Sequence, residues 1–229
     1  MTDGTRNLVL VHGAWHGPWC WELFGPELES RGWAVSAVDL PSTWGDPAAG
    51  MRDDAGAVRD HLAAIDGPVT VLAHSYGGVP ATEAAGPAVE RIIYLAAHML
   101  AEGESVITPL GGPWFPADAD FAPGPDPEQA LYPDVPDDWT RKAVGLLRPQ
   151  SARAFTEELT RASWRTIPSA LVVCDDDLSL PGLFVDRAIA QGMADVVRHL
   201  PGGHSPFLSR PAELAELVGE VTAALPVVG

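Results

Sequence analysis

Basic residues and cysteines are scarce in this sequence. The 229 residues include 14 lysines and arginines against 31 aspartates and glutamates, a formal net charge of −17 at pH 7. Such a charge repels phosphate backbones and anionic lipid surfaces, so neither nucleic acid nor a membrane is an expected partner. The only cysteines, Cys20 and Cys174, each lie in an apolar run. That excludes a disulfide framework or a cysteine-rich metal site and favours a reducing compartment.

Long hydrophobic runs are missing as well. No run approaches the ~20 apolar residues of a membrane span, and the polar stretch from Met1 to Asn7 lacks the apolar segment of a secretory signal. A soluble, cytoplasmic protein is the expectation. With 46% apolar residues and 8 tryptophans, the chain has enough apolar surface for a sizeable core. The length favours one domain spanning residues 1–229.

Short runs rich in Val, Leu and Ile alternate with stretches of helical spacing. The runs read as strands buried on both faces: Leu8–Val11, Ala34–Leu40, Val69–Ala73, Ile92–Ala97, Ala170–Cys174 and Val196–Leu200. The helical stretches are Trp21–Leu28, Val58–Ile65, Leu183–Ile189 and Leu214–Val221. This alternation predicts an α/β fold with a mostly parallel, six-stranded, doubly wound sheet.

Residues 99–165 interrupt the alternation. The segment offers no clear buried strand, yet it carries several aromatic residues, Trp114 and Trp139 among them. We interpret it as an inserted lid, with helices at Arg141–Leu147 and Ala152–Leu159; an irregular surface excursion packed on the sheet edge is the alternative. Trp114 and Trp139, together with Trp15 and His98, are candidate pocket residues.

The stretch Val69-Thr70-Val71-Leu72-Ala73-His74-Ser75-Tyr76-Gly77-Gly78 is the sharpest local signal. A buried strand runs into Ser75 and then into small residues that open a helix, which is typical of a nucleophile elbow. The backbone N–H of Tyr76 would then help to stabilise an oxyanion. An ordinary strand-turn-helix with Ser75 as N-cap is the alternative.

A serine hydroxyl needs a base, and three histidines follow Ser75. His199 lies within a strand pattern and His98 ends the preceding strand. His204 follows Pro201-Gly202-Gly203 just beyond the last strand, so it is the expected base.

Two further groups complete the expected site. Asp175, Asp176 and Asp177 follow Cys174, and one of them would orient the imidazole while the others remain solvated. In the loop after the first strand, His12-Gly13-Ala14, the N–H of Ala14 would be the second oxyanion donor. A plain strand-to-helix turn is the alternative for that loop.

These motifs together resemble the α/β-hydrolase superfamily, and within it the small methylesterase and hydroxynitrile lyase family most closely. The likeness covers almost the whole chain and extends to Ile93-Tyr94-Leu95-Ala96-Ala97 and to Leu147-Arg148-Pro149-Gln150. Ala73, where the elbow pattern usually has glycine, departs from it. The resemblance implies an α/β-hydrolase fold with a cap. It also implies Asp177 as the catalytic acid, because the family turn reads Cys, two residues, then Asp; Asp175 is the reserve.

The lyases of that family have a threonine after the first-loop histidine and a lysine beside the catalytic histidine. Here Gly13 and Ser205 stand there, and the only lysine is Lys142. The resemblance therefore favours hydrolysis of a small or medium hydrophobic ester by Ser75, His204 and Asp177, without metal or organic cofactor. A small-molecule ester is the expected partner, and a homodimer is compatible with the sequence. A thioesterase, lactonase, perhydrolase or lyase on the same residues, or a non-catalytic ligand-binding module, are the rivals.

Overall fold

A single parallel sheet organises the chain. The computed structural model describes residues 6–113, 115–116 and 119–226, and its main sheet has six strands in the order β2-β1-β3-β4-β7-β8. The strands, with a separate two-stranded pair formed by β5 and β6, are β1 (Arg6–Val11), β2 (Trp33–Val38), β3 (Val69–His74), β4 (Val89–Leu95), β5 (Asp120–Phe121), β6 (Gln150–Ser151), β7 (Ser169–Cys174) and β8 (Val196–Leu200). Every pairing in the main sheet is parallel. The predicted six-stranded α/β sheet is confirmed.

Helices cover both faces of this sheet. They are α1 (Phe24–Glu29), α2 (Met51–Ala63), α3 (Gly78–Ala84), α4 (Pro127–Leu131), α5 (Asp137–Leu146), α6 (Arg153–Thr156), α7 (Gly182–Ala190), α8 (Pro206–Ser209) and α9 (Pro211–Ala224). Successive residues of β1 show why: Val9 and Val11 pack in the cluster with α2, α3 and α7, while Leu8 and Leu10 pack in the cluster with α1 and α9. Because side chains alternate along a strand, a strand buried on both faces is apolar along most of its length.

The register brings two loops to the same edge. Val11, the last residue of β1, pairs with Ala73 of β3. The chain that leaves β1 and the chain that leaves β3 therefore emerge side by side at the carboxyl edge of the sheet, which is the usual location of sites in such folds.

The segment 99–165 differs in detail from the expectation. It contains the strand pair β5 and β6, of which Gln150 and Ser151 are buried, where no strand was expected. The predicted helix at Ala152–Leu159 is only α6, because Glu157 is extended and its carboxylate accepts a hydrogen bond from the Arg52 amide at 2.9 Å. The other predicted helix of this segment corresponds to α5.

Among the residues described, no helix has the length and apolar character needed to cross a lipid bilayer. Cys20 and Cys174 are both buried free thiols.

Candidate active site

Ser75 follows β3 directly and has a left-handed backbone, with φ of +53°. This conformation is unfavourable for a residue with a side chain and persists only where the surroundings enforce it. Gly77 is part of that enforcement, because a Cβ atom at this position would collide with the carbonyl oxygen of His12. The turn packs tightly against the first loop and presents Ser75 to a cavity at the sheet edge.

Two peptide groups at this edge have their carbonyls fixed. His12 Nδ1 donates to the Gly13 carbonyl at 2.9 Å, and the His98 amide donates to the Ser75 carbonyl at 3.1 Å. In a trans peptide the N–H points away from the C=O, so the N–H groups of Ala14 and Tyr76 face the opposite sides. Both residues line the cavity with Ser75. Among the described residues, none accepts a hydrogen bond from the Ala14 amide.

The side chains of His204 and Asp177 are in direct contact. Nδ1 of His204 lies 2.8 Å from Oδ2 of Asp177; the side chain of His204 is buried and that of Asp177 is partly buried. The other carboxylate oxygen accepts from the amides of Ser179 and Leu180 at 2.8 and 3.0 Å. Burial opposes ionisation, but His204 and these two amides outweigh it and hold the pKa of Asp177 below its usual value. The carboxylate therefore keeps the Nδ1 proton of His204 in place.

His74 connects the His204 loop to the strand that carries Ser75. Its Nε2 donates to the carbonyl of His204 at 2.9 Å, and the two rings lie 4.5 Å apart. Burial lowers the pKa of His74 well below its usual value, so the ring is neutral and acts as a fixed donor.

The neighbouring acids point elsewhere. Asp175, the alternative candidate for the catalytic acid, pairs with the exposed His199 on the edge strand β8 at 2.7 Å. Asp176 accepts from the Gly202 amide at 3.3 Å. Of the three adjacent acids, Asp177 is the one against His204.

The cavity beside Ser75 has a volume of about 310 Å³. Of the candidate pocket residues, Trp15 and His98 line it. Trp139 does not: it lies on α5, packs against the other core cluster and carries the Lys142 ammonium 4.1 Å from its ring centre. Trp114 lies outside the described residues. The remaining lining residues are Ala14, Ser75, Tyr76, Leu110, Phe155, Ser179 and Pro181.

His98 is a polar exception in this mostly apolar wall. Its ring contacts Phe184 edge-on at 4.5 Å, and Nδ1 is buried without a hydrogen-bond partner among the described residues. Burial lowers the pKa of His98 to about 4. The imidazole is therefore neutral at physiological pH.

Sequence reasoning did not assign roles to His12, His16 and His74. His16 Nδ1 donates to the Ala14 carbonyl at 2.7 Å, and its Nε2 accepts from the Tyr132 hydroxyl at 2.8 Å. The signal was present in the sequence, since His12 and His74 each stand at the end of a buried strand, where an apolar residue would otherwise be expected. The described part of the chain contains no cluster of three or more His, Cys, Asp or Glu side chains able to hold a metal ion.

Comparison with known proteins gives the same architecture. Norfluorocurarine synthase 2 from Strychnos sp is 27% identical over 95% of this chain and 95% of its own length. Methyl jasmonate esterase 1 from Vitis vinifera is 28% identical over 96% and 98%. The crystal structure of a polyneuridine aldehyde esterase mutant superposes with a TM-score of 0.81 at 24% identity, over 95% of this chain and 99% of that one.

A family model covers most of the chain. Residues 8–217 match the model of the alpha/beta hydrolase family, a range that includes the Ser75 turn, the Ala14 loop, Asp177 and His204. The family match and the parallel sheet indicate the same fold. The chain is a member of the alpha/beta hydrolase family.

Proposed function

We propose that this protein is a serine hydrolase that cleaves small or medium hydrophobic carboxylic esters. The observation that carries the proposal is the left-handed Ser75 at the end of β3, lining one cavity with Ala14 and Tyr76. Esterases among the relatives and structural neighbours support ester hydrolysis in general.

In the proposed mechanism Ser75 Oγ attacks the ester carbonyl carbon, and Nε2 of His204 takes the hydroxyl proton. Asp177 holds the Nδ1 proton and stabilises the resulting imidazolium. The carbonyl oxygen becomes negative and accepts hydrogen bonds from the N–H groups of Ala14 and Tyr76.

Collapse of this intermediate breaks the bond to the leaving oxygen, to which His204 returns the proton. The products are an alcohol and an acyl group on Ser75. Water, deprotonated by the same imidazole, attacks the acyl-enzyme. The bond from the acyl carbon to Ser75 Oγ then breaks, the imidazolium returns its proton to Oγ, and the carboxylic acid is released.

The walls of the cavity suggest the substrate class. Trp15, Leu110 and Phe155 supply apolar surface, and a volume of about 310 Å³ suits a small or medium acyl or alcohol group. The net charge of −17 disfavours the approach of anionic substrates. Leu110 and Phe155 belong to the segment 99–165, which supports the interpretation of that segment as a cap over the site.

An active-site-directed organophosphonate tests the nucleophile. We expect one adduct per chain, on Ser75, detected by intact-mass and peptide mass spectrometry. A Ser75→Ala variant should form none and should lose turnover. No adduct, or an adduct elsewhere, would defeat the proposal.

A substrate panel tests the reaction. Uncharged carboxylic esters of graded size should be hydrolysed faster than matched thioesters and lactones, and each rate should vanish with Ser75→Ala. A clear preference for thioesters, lactones or carbon–carbon cleavage would replace the esterase assignment. Ligand binding with turnover insensitive to Ser75→Ala would indicate a binding module.

A further inference from the structure

Asp54 on α2 is a fully buried carboxylate that the proposed mechanism does not use. Three neutral donors contact it: the amide and the hydroxyl of Ser42 at 2.9 and 2.6 Å, and the hydroxyl of Tyr76 at 2.6 Å. Burial raises the pKa of Asp54 to about 6, against the effect of these hydrogen bonds. Burying a carboxylate in the protein interior costs free energy. Two hydrogen-bonded connections lead from Asp54 towards the site.

One connection leads to the first oxyanion amide. Tyr76 is wholly buried, its hydroxyl donates to Asp54, and its ring stacks on Phe155 with centres 5.2 Å apart and planes 7° apart. The hydrogen bond fixes the hydroxyl of Tyr76, and the stacking fixes the plane of its ring. The backbone N–H of the same residue is the proposed donor to the substrate oxygen.

A second connection leads to the other oxyanion loop. The Ser42 hydroxyl donates to Asp54 and accepts from Gln150 Nε2 at 2.7 Å. Gln150 Oε1 in turn accepts from the amide of Trp15 at 3.3 Å. Trp15 follows Ala14 directly and has a left-handed φ of +62°, a conformation that needs external support.

We propose that Asp54 is a positioning residue that, through Tyr76 on one side and through Ser42 and Gln150 on the other, aligns both oxyanion amides with each other. The inference rests on the proposed function. The two amides come from loops that are distant in the sequence, yet they must meet one developing charge. Misplacement by about 1 Å can cost ~10²-fold in rate.

Asp54→Asn is the direct test, because it keeps the shape and removes the charge. The amide nitrogen would face either the Ser42 amide or the two hydroxyls, so the donor pattern around this position is broken. Losing one oxyanion donor typically costs ~10²–10³ in kcat, so misalignment should lower kcat by about 10–100-fold, with KM changed less than about threefold.

A trifluoromethyl ketone gives a second readout. Addition of Ser75 to the ketone forms a hemiketal oxyanion that needs the same two amides, so its inhibition constant should rise in parallel with the loss of kcat/KM. Thr82→Val is the matched control: Thr82 is equally buried, on α3, with its hydroxyl 2.7 Å from that of Tyr94. It should lower Tm without changing kcat or ketone affinity.

A double-mutant cycle tests the coupling without altering Asp54. Tyr76→Phe and Gln150→Met cut the two connections separately. If Asp54 couples them, the kcat loss of the double variant should differ from the product of the single losses by at least about threefold. Multiplicative losses would overturn the inference, as would an Asp54→Asn enzyme that is folded and has wild-type kcat.

The organophosphonate separates this inference from the proposed function. The folded Asp54→Asn variant should still give a 1:1 adduct on Ser75, formed more slowly than in the wild type. If the wild type forms the adduct while Asp54→Asn reacts at the same rate, the positioning role alone fails. If the wild type forms no adduct on Ser75, the proposed function fails and the inference fails with it.

Discussion

The imidazole of His204 and the carboxylate of Asp177 meet at 2.8 Å, Nδ1 to Oδ2, although 27 positions separate them in the chain. The sheet brings them together, because β7 and β8 are neighbouring parallel strands and each residue lies in the loop that follows one of them. Two amides saturate the other carboxylate oxygen, so Asp177 is fixed before it contacts the imidazole.

Asp177→Asn should abolish most of the activity. The asparagine amide can present an N–H to His204, which favours the tautomer that cannot accept the Ser75 proton, and kcat should fall about 10³–10⁴-fold. Steady-state hydrolysis of an uncharged ester, with Tm recorded for each variant, measures this effect.

Asp175→Asn is the matched control, two positions away. It breaks only the pair with the exposed His199, so turnover should stay within about twofold of the wild type. Equal losses in the two variants, or a larger loss for Asp175→Asn, would contradict the assignment of the acid.

Gly13→Ala should impair catalysis by crowding the nucleophile. A Cβ atom at this position would lie 2.8 Å from Nδ1 of His74 and 2.9 Å from Cβ of Ser75. Since both neighbours are buried, Ser75 or the first loop must shift, and kcat should fall by about 10²-fold or more. Hydrolysis rates and Tm are the measurements.

Gly56→Ala separates crowding from a general effect of the added methyl group. Gly56 lies within α2, and a Cβ there would meet no atom within 4 Å. Alanine in a helix interior stabilises by roughly 0.5–1 kcal/mol, so Tm should rise with kcat unchanged. A Gly13→Ala enzyme as active as Gly56→Ala would show that the loop can accommodate the methyl group.

The parts of this molecule that sequence could predict are those with local signals. The run Val69 to Ala73 is apolar except for Thr70 because β3 is buried on both faces, and Ser75 comes two positions after the run. The parallel pairing of the strands follows from the alternation of strands and helices, whose crossovers are restricted in handedness.

The rest depends on long-range contacts. Nothing near Asp54 in the sequence indicates that its carboxylate meets Tyr76, or that Gln150 reaches the amide of Trp15. Trp139 is a large aromatic residue of the kind that lines pockets, yet the orientation of α5 directs it to the other core cluster. Such relations are set by packing between segments, and periodicity does not encode them.

Acidification should reduce activity through His204 and not through His98. A protonated His204 cannot accept the Ser75 proton, so kcat/KM should fall as pH decreases. Because burial lowers the pKa of His98 to about 4, His98 stays neutral until the pH approaches 4. His98→Leu should therefore leave the midpoint of the acid limb of kcat/KM unchanged. Loss of that limb in His98→Leu would contradict this prediction.

Protonation of the Asp54 carboxyl should also change the stability of the fold with pH. Its pKa is raised from 3.8 to about 6 in the folded protein, chiefly by burial, so the folded state binds the proton more tightly than the unfolded state. Protonation therefore stabilises the fold, an effect that is absent above about pH 7, grows as pH falls through 6, and levels off below 4. Ser42 and Tyr76, which contact the carboxylate, do not titrate in this window.

Thermal unfolding of the wild type and Asp54→Asn between pH 7.5 and pH 5 measures this linkage. The asparagine cannot take up the proton, so the Tm of the wild type minus that of Asp54→Asn should increase by about 3–5 °C as pH falls. Thr82→Val, which removes no titrating group, should show a Tm difference that does not change with pH. A Tm difference for Asp54→Asn that stays constant would mean that folding leaves the pKa of Asp54 unchanged, and one that decreases on acidification would mean that folding lowers this pKa; either result contradicts the prediction.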